Sequence, residues 1–330
     1  MSACRPPEPG EVLFLATATP DAPDAIALRE ALGRRLPCIA GEADYVAHRD
    51  RIWGIVVWAP PNLAALAGSH GIPPRLAWLH QSGVGIESLA GLALPDGVTV
   101  TNIKGSDYYA APVAEHAVAR MLEWAKGLRR LAEAQAARRW EQFDPPTLAG
   151  KTAMIFGHGT IGQAVARRLE AFDMRLVIVR RKGTAPLPKG AEAIDLATAL
   201  DRLGEADHIV LTLPLTPETR GFLGAAEIAR LKPSAHIVNV GRAAVLDEPA
   251  LAAALREGRI GGVALDVFWR EPLSPVDPVW TWPRTAITPH MSANIAGGNT
   301  ALIAATATET LDTILAGRTP ANRVDLAAAY

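Results

Sequence analysis

One hexapeptide, Gly157-His158-Gly159-Thr160-Ile161-Gly162, limits what this chain can fold into more than any other feature. A GxGxxG pattern alone is a weak signal. Here it follows the apolar run 152–156 and opens a helical stretch at 161–172, and that context makes it informative. Glycines permit a tight turn and let backbone N–H groups approach a pyrophosphate. The helix N-terminus adds unpaired donors and partial positive charge. The turn therefore predicts dinucleotide binding.

The alternation around it predicts the rest of the unit. Strand-like runs at 152–156, 175–179, 208–213, 236–240 and 262–267 interleave with helical segments at 161–172, 196–203, 225–231 and 248–256. Apolar strands alternating with helices imply parallel pairing with both sheet faces covered. A last short strand is expected at 285–288; Gly297 and Gly298 then break the chain before a final helix at 300–316. The first hundred residues read as a small α/β unit. Short strands are expected at 12–17, 52–58 (stopped by Pro60 and Pro61), 76–79 and 98–100, with a helix at 24–35. A long helix over 110–130 carries the chain onward.

Length and composition bound the function. At 330 residues the chain is long enough for two domains, and 49% apolar residues supply two cores. A net charge of -1 gives no electrostatic case for nucleic acid or an anionic membrane. No apolar run is long enough to span a bilayer, and the polar, Pro-rich start lacks the apolar core of a signal peptide. Cys4 and Cys38 sit in no redox or metal-ligand spacing, and the eight histidines form no metal motif. A cytoplasmic protein without a metal site is expected.

A carboxylate commonly ends the second strand of a dinucleotide-binding unit and holds the ribose hydroxyls of NAD. Here Val179 is followed by Arg180, Arg181 and Lys182, with Arg180 18 positions past Gly162. A guanidinium there suits a 2′-phosphate by charge and forked hydrogen bonds. One such contact near 4 Å is worth roughly 1–4 kcal/mol at a surface. NADPH is thus favoured over NADH, against the alternative of a solvated basic loop.

Further segments make a recognisable set: Asn239-Val240-Gly241-Arg242, Leu265-Asp266-Val267-Phe268-Trp269-Arg270-Glu271-Pro272 and Thr288-Pro289-His290. With the glycine turn, with Leu213-Pro214-Leu215-Thr216-Pro217-Glu218-Thr219-Arg220, with Val113-Ala114-Glu115-His116 and with Gly83-Val84-Gly85-Ile86-Glu87, the chain resembles the D-isomer-specific 2-hydroxyacid dehydrogenase family over about 53–294. The resemblance implies roles. Arg242 would bind the substrate carboxylate and polarise the carbonyl, His290 would exchange a proton with the carbonyl oxygen, and Glu271 would orient His290. Val84 and Gly85 would hold the substrate carboxylate by backbone amides. Leu213, Pro214, Thr219, Val240 and Gly241 would follow the coenzyme, and Asp266 would contact the nicotinamide carboxamide.

The same resemblance implies an α/β fold of two Rossmann-like domains with doubly wound parallel sheets and an active site in the interdomain cleft. The expected division is a substrate-binding domain over 1–103 and 296–330 and a dinucleotide-binding domain over 104–295, in a homodimer. The favoured reaction is reduction of a small 2-keto acid, glyoxylate or hydroxypyruvate before others, to the D-2-hydroxy acid. His80, Trp280 and Trp282 are candidates to shape the pocket, packing being the other reading for the tryptophans. Alternatives are an NAD(P)-sensing co-regulator with little catalysis and a formate-type dehydrogenase. The chain departs from the family pattern at Ala243 and Asp173, where glycine is usual, and at Arg180. Asp tolerates the left-handed backbone that the helix-end position needs.

Overall fold

A computed structural model describes residues 4–326 apart from 59–61, 90, 106, 182, 184 and 297. Pro60, Pro61, Lys182 and Gly297 lie outside the described residues. The chain divides into two compact units, 1–106 with 295–330, and 107–294.

The first unit carries β1 (Val12–Ala16), α1 (Pro23–Gly33), β2 (Cys38–Ala40), α2 (Glu42–His48), β3 (Ile52–Val57), α3 (Asn62–His70), β4 (Trp78–Gln81) and β5 (Thr99–Asn102). Its five strands are parallel in the order β2-β1-β3-β4-β5. Alternation along β1 sends Leu13 and Leu15 to one face and Val12, Phe14 and Ala16 to the other, and each face has its own apolar cluster. His80 on β4 is fully buried, with Nδ1 on the Thr101 hydroxyl at 2.9 Å. It is a strand residue packed inside the core.

The second unit opens with α4 (Asp107–Lys126) and α5 (Leu128–Ala136), which correct the single helix expected over 110–130. The break falls at Gly127, whose left-handed backbone (φ 60°) ends one helix and begins the next. There follow β6 (Thr152–Phe156), α6 (Thr160–Glu170), β7 (Arg175–Val179), β8 (Glu192–Ile194), α7 (Leu196–Asp201), β9 (His208–Leu211), α8 (Ala225–Ile228), β10 (His236–Asn239), α9 (Glu248–Arg256), β11 (Gly262–Leu265) and β12 (Thr285–Ile287). The chain then returns to the first unit as α10 (Thr300–Leu315).

All seven strands of this second sheet are parallel, in the order β12-β11-β10-β9-β6-β7-β8. Strand order reverses between β6 and β9, and a doubly wound sheet binds ligands outside the carboxyl ends of its strands at that reversal. The strands read as unbroken apolar runs because helices bury both faces: Met154 and Phe156 enter one cluster, Ala153 and Ile155 the other. Asp173 has φ of +54°, the left-handed conformation expected of it. Trp282 is buried against this core while Trp280 is half exposed, which supports packing for the first.

Candidate active site

The glycine turn stands at the reversal point, just past β6. Gly157 has φ of +103°, and its N–H donates to Val179 O at 2.9 Å. A Cβ on Gly162 would stand 2.0 Å from Gly157 O, so helix and turn can approach this closely only without a side chain. Thr212, just past β9, closes the other side, its hydroxyl donating to Phe156 O at 3.0 Å. Gly159 differs: a Cβ there meets nothing within 4 Å. The chain's own packing does not require glycine at 159, whereas a pyrophosphate lying on the backbone would. The turn therefore fits a dinucleotide.

Arg180 follows β7 beside this turn. Its Nη1 donates to Ala185 O at 2.6 Å and to His158 Nδ1 at 3.2 Å. Arg181 is exposed. Past β9, the loop beginning Leu213-Pro214 is tied by Thr219, whose hydroxyl donates to Pro214 O at 2.7 Å and accepts from Thr216 N–H at 2.8 Å. Thr219 thus shapes the loop from a buried position. Val240 is buried, and a Cβ on Gly241 would come within 2.9 Å of Leu213 O.

Three adjacent strands deliver the remaining residues. Asn239, Leu265 and Ile287 are register partners at the ends of β10, β11 and β12. Arg242, Glu271 and His290 lie just beyond them in sequence, so neighbouring strand ends present all three. Asn239, fully buried, braces the arginine turn: Oδ1 accepts from Gly241 N–H at 3.1 Å and Nδ2 donates to Arg242 O at 3.0 Å. Glu271 Oε1 accepts from Phe268 N–H at 2.8 Å, and Oε2 takes His290 Nδ1 at 2.6 Å. A carboxylate only accepts, so Nδ1 carries a hydrogen and Nε2 is left for proton exchange. Trp269 and Arg270 anchor this segment, the indole N–H on Leu246 O at 3.1 Å and the guanidinium on Glu248 at 2.8 Å.

Asp266 has a structural role that its sequence context does not reveal. Its buried carboxylate accepts from the Thr288 hydroxyl at 2.7 Å and from the backbone N–H groups of Met291 and Ser292 at 3.0 Å each. It holds the segment bearing His290, whose φ of +50° is a left-handed conformation uncommon for a side-chain residue. Thr288 spends its only hydrogen on Asp266 and so accepts from His116 Nε2–H at 3.0 Å. Burial holds His116 below the usual histidine range against the opposing pull of Asp266. No motif in the sequence points to Tyr109. Burial pushes its phenol up, and Arg242 and Asp266 both act on it, which puts it at this same edge.

In the first unit, Val84 and Gly85 follow β4. Asn102 Nδ2 holds Val84 O at 2.6 Å, fixing the loop to the end of β5.

This fold and turn define a dinucleotide-binding α/β protein. Residues 118–292 match the family model described as D-isomer specific 2-hydroxyacid dehydrogenase, NAD binding domain. A glyoxylate reductase of Aeropyrum pernix is 36% identical over 267 residues, 76% of this chain and 77% of that protein. A D-3-phosphoglycerate dehydrogenase of Mycobacterium leprae is 37% identical over 229 residues, 68% of this chain but only 42% of the relative's own length. Among solved structures, a D-isomer specific 2-hydroxyacid dehydrogenase from Xanthobacter autotrophicus Py2 in complex with NADPH and MES superposes with a TM-score of 0.82 at 30% identity, covering 97% of this chain and 100% of that one. The NADPH-dependent glyoxylate/hydroxypyruvate reductase of Sinorhizobium meliloti, in complex with NADP and sulfate, gives 0.83 at 26% identity, with 97% and 100% covered. The chain belongs to the D-isomer-specific 2-hydroxyacid dehydrogenase family.

Proposed function

We propose that the protein is an NADPH-preferring 2-hydroxyacid dehydrogenase that reduces a small 2-keto acid, glyoxylate or hydroxypyruvate first, to its D-2-hydroxy acid. The observation that carries this reading is the Glu271–His290 contact of 2.6 Å at a strand end neighbouring that of Arg242. The 107–294 unit would hold the coenzyme through its glycine turn, Leu213, Pro214, Val240 and Gly241, with Arg180 and its basic neighbours at the adenosine end. A bound nicotinamide coenzyme supplies hydride chemistry. Arg242 supplies a fixed cation for the substrate carboxylate and polarises the carbonyl. His290, held through Nδ1, gives the proton from Nε2 to the carbonyl oxygen in reduction and takes it back in oxidation. Glu271 orients the ring through Nδ1.

Val84 and Gly85 would hold a carboxylate through their backbone N–H groups. The backbone N–H groups of both residues have no partner among the described residues, as a carboxylate-binding loop requires. Leu128 and Leu131 on α5 and Trp140 after it leave apolar surface exposed, the indole at 93%, which favours a homodimer through this arm. Two unpaired cysteines fit a reducing cytoplasm.

The test is loss of absorbance at 340 nm from NADPH and from NADH against glyoxylate, hydroxypyruvate, pyruvate and phenylpyruvate. Turnover with NADPH and a short keto acid is expected. Turnover with NADH alone would refute the coenzyme preference. Coenzyme binding without turnover on any keto acid would refute the reaction and favour a sensor.

A further inference from the structure

His158 is the second residue of the glycine turn, and nothing in a GxGxxG pattern asks for a histidine there. Gln163 Nε2, one turn into α6, donates to its carbonyl at 3.1 Å, so its backbone is fixed from the helix side. Its ring faces the guanidinium of Arg180, with Nδ1 3.2 Å from Nη1. A guanidinium can only donate, so Nδ1 must be the lone-pair nitrogen and the ring proton sits on Nε2. Burial, and after it the charge of Arg180, hold the imidazole below the usual histidine range, which keeps that lone pair available at neutral pH. Nε2 is buried and has no hydrogen-bond partner among the described residues. A buried donor left unpaired is costly. Among the described residues the ring's one hydrogen bond is to Arg180.

Arg180 needs such a support. Its backbone is pinned, N–H to Ile194 O at 3.0 Å, but its side chain is long and flexible. The Ala185 carbonyl belongs to the loop after β7, whereas His158 belongs to a turn locked between β6, α6 and Thr212. Both anchors use Nη1. Nε and Nη2 have no partner among the described residues, and they are the two nitrogens a phosphate could take as a fork.

We infer that His158 is a positioning residue for coenzyme choice, fixing the Arg180 guanidinium through Nδ1 so that Nε and Nη2 take the 2′-phosphate of NADPH. This deepens the coenzyme preference proposed above and rests on it. Ordering the guanidinium before the ligand arrives removes an entropy cost from binding, and only from binding of the phosphorylated coenzyme.

The experiment is calorimetric binding of NADPH, NADH and adenosine 2′,5′-bisphosphate to the wild type, His158→Leu, His158→Asn and Arg180→Ala. Asparagine places its Oδ1 acceptor where Nδ1 stands; leucine removes the acceptor. His158→Leu should weaken NADPH and the bisphosphate about three- to tenfold, as loss of one hydrogen bond implies, and change NADH by less than about twofold. His158→Asn should restore most of the NADPH affinity. A selective loss with Arg180→Ala but none with His158→Leu would overturn the positioning role alone. Equal weakening of both coenzymes by His158→Leu, unrescued by asparagine, would overturn it too, as damage to the turn. If Arg180→Ala weakens both coenzymes equally, the 2′-phosphate reading beneath it falls.

Discussion

His290 sits in a left-handed conformation at the end of β12, where an ordinary residue would relax. Such a conformation costs of order 1–3 kcal/mol and persists only where the surroundings over-determine it. Asp266 supplies that determination through the two N–H groups following the histidine, and Glu271 fixes the ring. Removing the imidazole should therefore cost chemistry and little else. His290→Ala is expected to lower kcat about 100-fold or more, with coenzyme Kd changed less than about threefold. Glu271→Gln leaves one oxygen where two now accept, from Phe268 N–H and from Nδ1–H, and should fall between wild type and His290→Ala. Steady-state rates and a fluorescence titration with coenzyme check both; full activity in His290→Ala would end the acid/base assignment.

The strand–turn–helix element makes a sharper prediction, because its glycines serve different ends. At Gly162 a Cβ collides with Gly157 O of the same element; at Gly159 it meets only open space. Gly162→Ala should lower the melting temperature by several degrees, as about 1–3 kcal/mol of overpacking does. Gly159→Ala should melt like the wild type yet bind NADPH and NADH at least about tenfold more weakly. Unimpaired binding by Gly159→Ala would contradict a pyrophosphate on that backbone. This element was legible in the sequence because turn, strand and helix are contiguous there. The same holds for β6, β7 and α9, whose expected ends match the structure. The edge strands β2 and β8 were not legible: each is three residues long, and Glu192-Ala193-Ile194 carries no apolar run. Nor was the break at Gly127, which looks like one more small residue in a helical stretch. Motifs named Arg242, Glu271 and His290, but the brace from His116 through Thr288 to Asp266 joins residues far apart in sequence, and no spacing encodes it.

Across the whole molecule, stability should depend on buried imidazoles. Burial drops His80 in the first unit to about 3 and His208 in the second to about 4, and it holds His236, stacked on Trp124 at 4.9 Å, well below the usual range. Each of these groups is depressed in the folded state. Its contribution is therefore complete above the unfolded value near 6.5 and is lost as pH falls toward the folded value. At pH 5 that loss is about 2 kcal/mol for His80 and about 2 kcal/mol for His208. Against a typical net stability of 5–15 kcal/mol this is large. Carboxylates titrate lower, so denaturant unfolding should show a clear fall between pH 7.5 and 5, in both units. A flat profile over that window would mean the rings escape burial before protonating.

The split of the first unit across the chain also sets an order of events during synthesis. Helix α10 buries Ile303, Leu311 and Ile314 in the same cluster as Leu28, Leu32 and Trp53. Three such side chains are worth roughly 5–9 kcal/mol, as much as a domain's whole margin. A ribosome makes that helix only after every residue of 107–294 has been joined. One face of the first sheet must wait only partly covered, by α1, while the second unit, continuous in the chain, is made, so the nascent protein passes through a stage with the first unit still dependent on a segment not yet made.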